Sequence, residues 1–193
     1  IAGFSFFPDK NITTGEGGMI VTNNLELAET CQILKKNGAS KRYYNTYIGW
    51  NFKMPDMCAA LGISQLKRIE SIIDAKNLRA KIYGELLDSV KGITTPVVRQ
   101  YNKVTYMLYS ILTESQTMRE KIRISLEKHG IETRINFPSM HLQPAYVEKY
   151  GNKEGHLPVS EDMSERILGL PIFINMTQDQ QELVARVIKE STS

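Results

Sequence analysis

The spacing of apolar positions changes along the chain, and each change marks an expected element. Residues 3 to 7 and Met19-Ile20-Val21-Thr22 are short β-type runs, separated by Gly15-Glu16-Gly17-Gly18. That glycine-rich stretch permits the positive φ angles of a tight turn, so a hairpin is expected. Next, Asn23 or Asn24 can cap a helix running from Leu25 to about Lys36, with Asn37-Gly38 as its stop signal. Residues 38 to 53, rich in Tyr, Gly and Asn, read as a loop. From Pro55 to about Val90 apolar residues recur at three- and four-residue steps, which predicts one long helix, bent near Gly62 or Asp74.

Beyond Lys91-Gly92 the pattern shortens. Strands are expected over Val104 to Leu112 and Ile131 to Phe137, with a helix over Ser115 to His129. Two further helices, Ser160 to Leu168 and Thr177 to Lys189, each open on a hydroxyl residue with an acidic one in the first turn. The expected division is therefore residues 1–54 as the end of a sheet-bearing large domain, 55–90 as a long interdomain helix, and 91–193 as a small α+β domain. A substrate cleft is expected between the two domains.

Composition narrows the classes. The 24 basic and 21 acidic residues are interspersed, so the net charge of +3 suggests neither nucleic acid nor an anionic membrane surface as partner. Lys41-Arg42-Tyr43-Tyr44 is the one basic and aromatic cluster and is too short for a nucleic-acid stripe. No apolar run approaches the roughly 20 residues that span a bilayer. Cys31 and Cys58 lie in helical patterns without metal-ligand or redox spacing and are expected to be buried free thiols; a cytoplasmic location is the corresponding default. The scattered His129, His141 and His156 have no metal-ligand spacing, and no metal is expected. The opening Ile1-Ala2-Gly3-Phe4 has the texture of an interior strand, so the chain is expected to be a fragment.

Lys10 follows an apolar strand and precedes the glycine turn. A lysine partly desolvated at a strand end is a competent nucleophile towards a carbonyl. Taken alone, it reads first as an exposed loop lysine. The glycine stretch lacks the order of a nucleotide P-loop or dinucleotide fingerprint and reads as a turn.

The stretch Ser5-Phe6-Phe7-Pro8-Asp9-Lys10-Asn11-Ile12-Thr13-Thr14-Gly15-Glu16-Gly17-Gly18-Met19-Ile20-Val21-Thr22 closely resembles the signature of the DegT/DnrJ/EryC1/StrS aminotransferases. These are pyridoxal-phosphate (PLP) enzymes of fold type I that aminate keto-sugars attached to nucleotides. Gly49 through Gly62 is similar to the segment leading into that family's interdomain helix, and Gly130 through Tyr146 to its carboxy-terminal substrate-side loop.

The resemblance implies an α/β fold: the end of the large domain plus the small carboxy-terminal α+β domain of a PLP-dependent transferase. It implies that Lys10 holds PLP covalently and shuttles a proton, and that the Ser5 hydroxyl bonds the cofactor phosphate. Asn51 would reach the phosphate of a neighbouring subunit's cofactor, which makes the expected unit a homodimer with shared active sites. Arg134 and His141 would contact the diphosphate-linked sugar. The amino donor is expected to be an amino acid, glutamate by family habit.

A related sugar dehydratase is disfavoured, because those members resemble the aminotransferases except that histidine replaces the lysine. Other cofactor contacts of the family would lie before residue 1, so this chain alone is expected to bind PLP poorly. The alternative is a non-catalytic dimerisation or regulatory module of the same fold.

Overall fold

The computed structural model describes residues 1–192. The chain forms two compact units, one from Ile1 to Ser71 and one from Ile72 onward.

In the first unit β1 (Ala2–Ser5) pairs antiparallel with β2 (Gly18–Val21), with Ala2 opposite Val21 and Ser5 opposite Gly18. Helix α1 (Leu25–Leu34) follows, and its N-cap is Asn24, whose Oδ1 accepts from the Leu27 amide at 3.0 Å. The segment expected as a loop folds into a small hairpin, β3 (Ala39–Lys41) with β4 (Tyr44–Asn45). Two features build it: Tyr43 adopts φ 62° at the tip, and the Gly38 carbonyl accepts from Thr46 and Tyr47 at the neck. Gly38 itself has φ 74°, and a Cβ there would stand 1.8 Å from the Tyr47 carbonyl oxygen, so only glycine fits.

The expected long helix is two helices, α2 (Asp56–Leu66) and α3 (Ile69–Leu87). They part at Lys67-Arg68, not at Gly62 or Asp74. There the Arg68 amide donates to Gln65 O in a tighter turn and the Ser71 hydroxyl donates to Arg68 O at 2.8 Å, a side-chain bond that competes with the helical ladder. Gly62 stays helical; a Cβ on it would stand 2.9 Å from Thr14 Cγ2. Neither α1 nor α2 buries a residue, and both strands of the β1–β2 hairpin are exposed along their whole length.

The second unit has a core. Strands β5 (Ile93–Thr94), β6 (Tyr109–Thr113) and β7 (Ile167–Leu170) form an antiparallel sheet in that order. Along β6 the alternation buries Tyr109, Ile111 and Thr113, the period-two pattern of a half-buried strand. Onto it pack Tyr83 and Leu87 of α3, Ile122 and Leu126 of α4 (Gln116–Lys128), and Val184, Val187 and Ile188 of α7 (Gln178–Thr192). Between α4 and β7 lie a 3₁₀ turn at Met140–Leu142, α5 (Pro144–Tyr150) and α6 (Pro158–Arg166).

Three strand and helix expectations change here. The strand expected over Val104 to Leu112 runs from Tyr109 to Thr113. Residues 131–137 contribute one bridge, Arg134 opposite Gly169, rather than a strand. The helix expected to reach Leu168 ends at Arg166, because the apolar run Ile167–Leu170 enters the sheet. Cys31 and Cys58 are unpaired and half-buried rather than buried. Among the described residues no helix is long and apolar enough to cross a membrane.

Candidate functional site

The end of β1 leads into a turn closed at its neck. The Phe6 amide donates to Gly17 O at 2.9 Å, and Phe6 O accepts from the Thr14 amide at 3.0 Å and the Thr13 hydroxyl at 2.9 Å. Inside that neck the Lys10 amide donates to Phe7 O at 3.0 Å. The Lys10 side chain is 30 % exposed, and its Nζ lies 2.7 Å from Asp9 Oδ1. Ser5 Oγ accepts from the Phe7 amide at 3.3 Å, which leaves its own O–H able to donate outward.

The far side of the turn is fixed as firmly. The buried Thr14 hydroxyl donates to Glu16 O at 2.6 Å, and Thr13 Oγ1 accepts from the Gly15 amide at 2.9 Å. Gly17, at φ 148°, is a necessity twice over: a Cβ would stand 2.6 Å from Thr14 Oγ1 and 2.8 Å from Met54 Cε. The signature threonines and glycines therefore act through the backbone path, and Lys10 is the side chain that path carries.

Asn51 sits on a clip. Trp50 and Phe52 amides donate to Leu34 O and Lys35 O, and the Asn37 amide donates to Trp50 O, which fixes residues 50–52 against the end of α1. The Asn51 backbone bridges Lys36, and its exposed side chain has no hydrogen-bond partner among the described residues. Ser5 and Lys10 thus share one turn, and the segment after Asn51 reaches that turn at Met54.

Arg134 and His141 belong to the second unit. Arg134 exchanges backbone bonds with Gly169 at 3.0 and 2.7 Å, and its guanidinium is exposed, with Nε 3.8 Å from Glu132 Oε1. His141 is buried, and its Nε2 lies 2.8 Å from Glu161 Oε1. Glu161 was not singled out from sequence; the acidic residue in the first turn of the expected helix was its only signal. Hydrogen bonds from the Gly155 and Leu157 amides, and then from His141, hold the Glu161 carboxyl below the usual carboxylate range, against the opposing effect of desolvation.

Residues 1–189 match the DegT/DnrJ/EryC1/StrS aminotransferase family. The chain belongs to that family. It is 36 % identical to the GDP-perosamine synthase of Escherichia coli O157:H7 over 192 residues, 98 % of this chain and 51 % of that protein. It is 31 % identical, over 98 % of this chain and 50 % of the other, to a dTDP-3-amino-3,4,6-trideoxy-alpha-D-glucose transaminase of Streptomyces venezuelae. The structure of S. venezuelae DesV in complex with a ketimine intermediate matches with TM-score 0.93 and 31 % identity, over 100 % of this chain and 51 % of that one. The chain spans about half the length of the curated relatives it matches. Its mixed α/β architecture is the carboxy-terminal part of this family's PLP-dependent transferase fold of type I.

Proposed function

We propose that the protein carrying this sequence is a PLP-dependent aminotransferase that moves an amino group from an amino acid, glutamate, to a nucleotide-linked keto-sugar. The observation that carries this reading is Lys10, carried on a turn that backbone and threonine hydrogen bonds close, within a family of sugar aminotransferases.

The residues present fit the cofactor. Ser5 keeps a donor for a phosphate oxygen, the Asn51 amide is uncommitted, and the Lys10 side chain is largely covered but still reachable. PLP, when bound, supplies an electron sink for the substrate carbon that loses or gains a proton. Lys10 Nζ holds the cofactor and carries that proton, and Asp9 steadies the side chain between tasks. Asn51 serves a partner subunit's phosphate, so the working unit is a homodimer in the cytoplasm. The substrate face comprises the segment of Arg134 and His141, where the Arg134 guanidinium suits a diphosphate.

A non-catalytic dimerisation module is the second reading, favoured by the exposed apolar faces of β1, β2 and α2. Borohydride reduction of the intact protein with PLP, followed by peptide mapping, separates the two. A phosphopyridoxyl adduct on Lys10, absent in Lys10→Ala, is expected. The absence of an adduct, or its presence on another lysine, refutes the aminotransferase reading. GDP-perosamine and dTDP-3-amino-3,4,6-trideoxy-glucose, run in reverse with 2-oxoglutarate, are the first sugars to assay.

A further inference from the structure

Two separate stretches of the second unit close on one carboxylate carried by a third. Glu161, in the first turn of α6, accepts from the Gly155 amide through Oε2 at 2.8 Å and from the Leu157 amide through Oε1 at 3.0 Å. The same Oε1 takes the His141 ring at 2.8 Å. Beside it, Ser139 Oγ lies 3.1 Å from Ser164 Oγ and 3.4 Å from Ser160 Oγ, and the Ser164 hydroxyl also donates to Glu161 O at 2.9 Å. Residues 139–141, 155–157 and 160–164 are thereby one hydrogen-bonded knot, although α5 and its flanking loops intervene.

One ring nitrogen of His141 is committed to this knot, and the other is buried. Nε2 is engaged by Glu161, and Nδ1 is buried with no hydrogen-bond partner in the structure. The residue is only 9 % exposed. With the Glu161 carboxylate as acceptor, Nε2 is the donor of this bond. A diphosphate or sugar hydroxyl has no exposed ring nitrogen to reach.

We propose that His141 is a positioning residue for the sugar-nucleotide side of the site: it acts through Glu161, as a clasp that fixes residues 139–157, and not by touching substrate. The proposal rests on the aminotransferase reading for its substrate and on the geometry alone for the clasp. Glu161 anchors both ends of the segment that holds α5, so releasing it frees the whole lip rather than one side chain.

The test uses the intact protein and the variants Glu161→Gln, His141→Leu and His141→Gln. Glutamine at position 141 keeps an N–H donor near the place of Nε2; leucine does not. Hydrogen exchange at the Gly155 and Leu157 amides is expected to quicken at least about tenfold in Glu161→Gln, which weakens a charged acceptor to a neutral one. In reverse transamination, KM for GDP-perosamine, or for the dTDP amino-sugar if that is the one turned over, is expected to rise about tenfold in His141→Leu. KM for 2-oxoglutarate and kcat should stay within about twofold, and His141→Gln should recover most of the loss.

Unchanged exchange overturns the clasp. Faster exchange with both KM values unmoved, or both moved together, makes the knot merely structural and overturns the positioning role. A His141→Gln protein as impaired as His141→Leu also overturns it, since the ring would then be doing more than donating one hydrogen bond. Failure of the wild-type protein to form the Lys10 adduct refutes the functional reading and the substrate part of this proposal with it, while the exchange result still decides the clasp.

Discussion

Replacing Gly17 by alanine should harm the Lys10 turn far more than replacing Gly15, although the two glycines lie two positions apart and both have positive φ. Gly15, at φ 81°, has no atom within 4 Å of the position a Cβ would take. Gly15→Ala therefore meets only the backbone penalty of a left-handed alanine, about 1 kcal/mol. Gly17 has φ 148°, a region nearly reserved for glycine, where the backbone term alone is about 1–3 kcal/mol. Its Cβ would also stand 2.6 Å from Thr14 Oγ1, a hydroxyl already committed to Glu16 O, and 2.8 Å from Met54 Cε. Met54 can swing aside, but Thr14 is buried, and overpacking of that kind adds about 1–3 kcal/mol.

The expected loss is thus about 1 kcal/mol for Gly15→Ala and about 4 kcal/mol for Gly17→Ala, the middle of a range of about 2–6 kcal/mol. Trp50 is the chain's one tryptophan and lies in the first unit, stacked on Phe52 at 5.7 Å, so its fluorescence reports that unit during urea titration. With a slope of about 1–3 kcal/mol per molar, the two midpoints should differ by about 1 M or more. Midpoints within about 0.3 M of each other would refute the reasoning, because Thr14 and Met54 would then yield at little cost.

Two further outcomes concern the second unit. Gln181 is wholly buried: its Nε2 donates to Arg79 O at 2.8 Å and its Oε1 has no partner, so Gln181→Met exchanges a bond of about 1 kcal/mol for relief of an orphaned acceptor that costs about 1–3 kcal/mol. The variant should be as stable as wild type or up to about 2 kcal/mol more stable by thermal and urea melts; a loss beyond about 1 kcal/mol would refute this account of Oε1. Burial, and then the neighbouring phenols, push the Tyr83 and Tyr109 hydroxyls well above their ordinary range. Both protons are held more tightly in the folded state, so their contribution is complete below about pH 10, where an unfolded tyrosine titrates, and is lost as pH rises towards the folded values. Urea midpoints should therefore fall between about pH 9 and about pH 11, less steeply in Tyr83→Phe; a flat profile would refute the burial argument.

How much of this was legible from sequence depended on the range of the interactions. The β1–β2 hairpin and the starts of α1 and α4 are decided by short-range patterns and stand close to where the residues placed them; of the two candidates, Asn24 and not Asn23 caps α1. The β3–β4 hairpin was not legible, because a tyrosine rather than a glycine takes the left-handed position and its strands are too short to show a period. The break between α2 and α3 depends on a serine hydroxyl diverting one carbonyl, which leaves the apolar spacing undisturbed. Residues 131–137 have strand-like composition, but β7 receives only Arg134 on that edge; the Asn136 side chain occupies the space a Cβ on Gly169 would need, at 2.4 Å.

The Lys10 turn and the Glu161 knot differ in the same way, and that difference bears on how each should respond to change. The Lys10 turn is encoded locally: its neck joins Phe6 to residues 13, 14 and 17, so a short stretch of sequence specifies both the path and the side chain it presents. The Glu161 knot joins His141 to a helix twenty residues further on, and no local spacing in the sequence ties the two together. A local turn tolerates rearrangement elsewhere in the chain, since its constraints travel with it. The knot does not: an insertion between residues 151 and 154 leaves α5 and α6 intact yet lengthens the path between His141 and Glu161. Loop change between residues 151 and 154 is therefore expected to disturb the Glu161 knot while leaving the Lys10 turn unaltered.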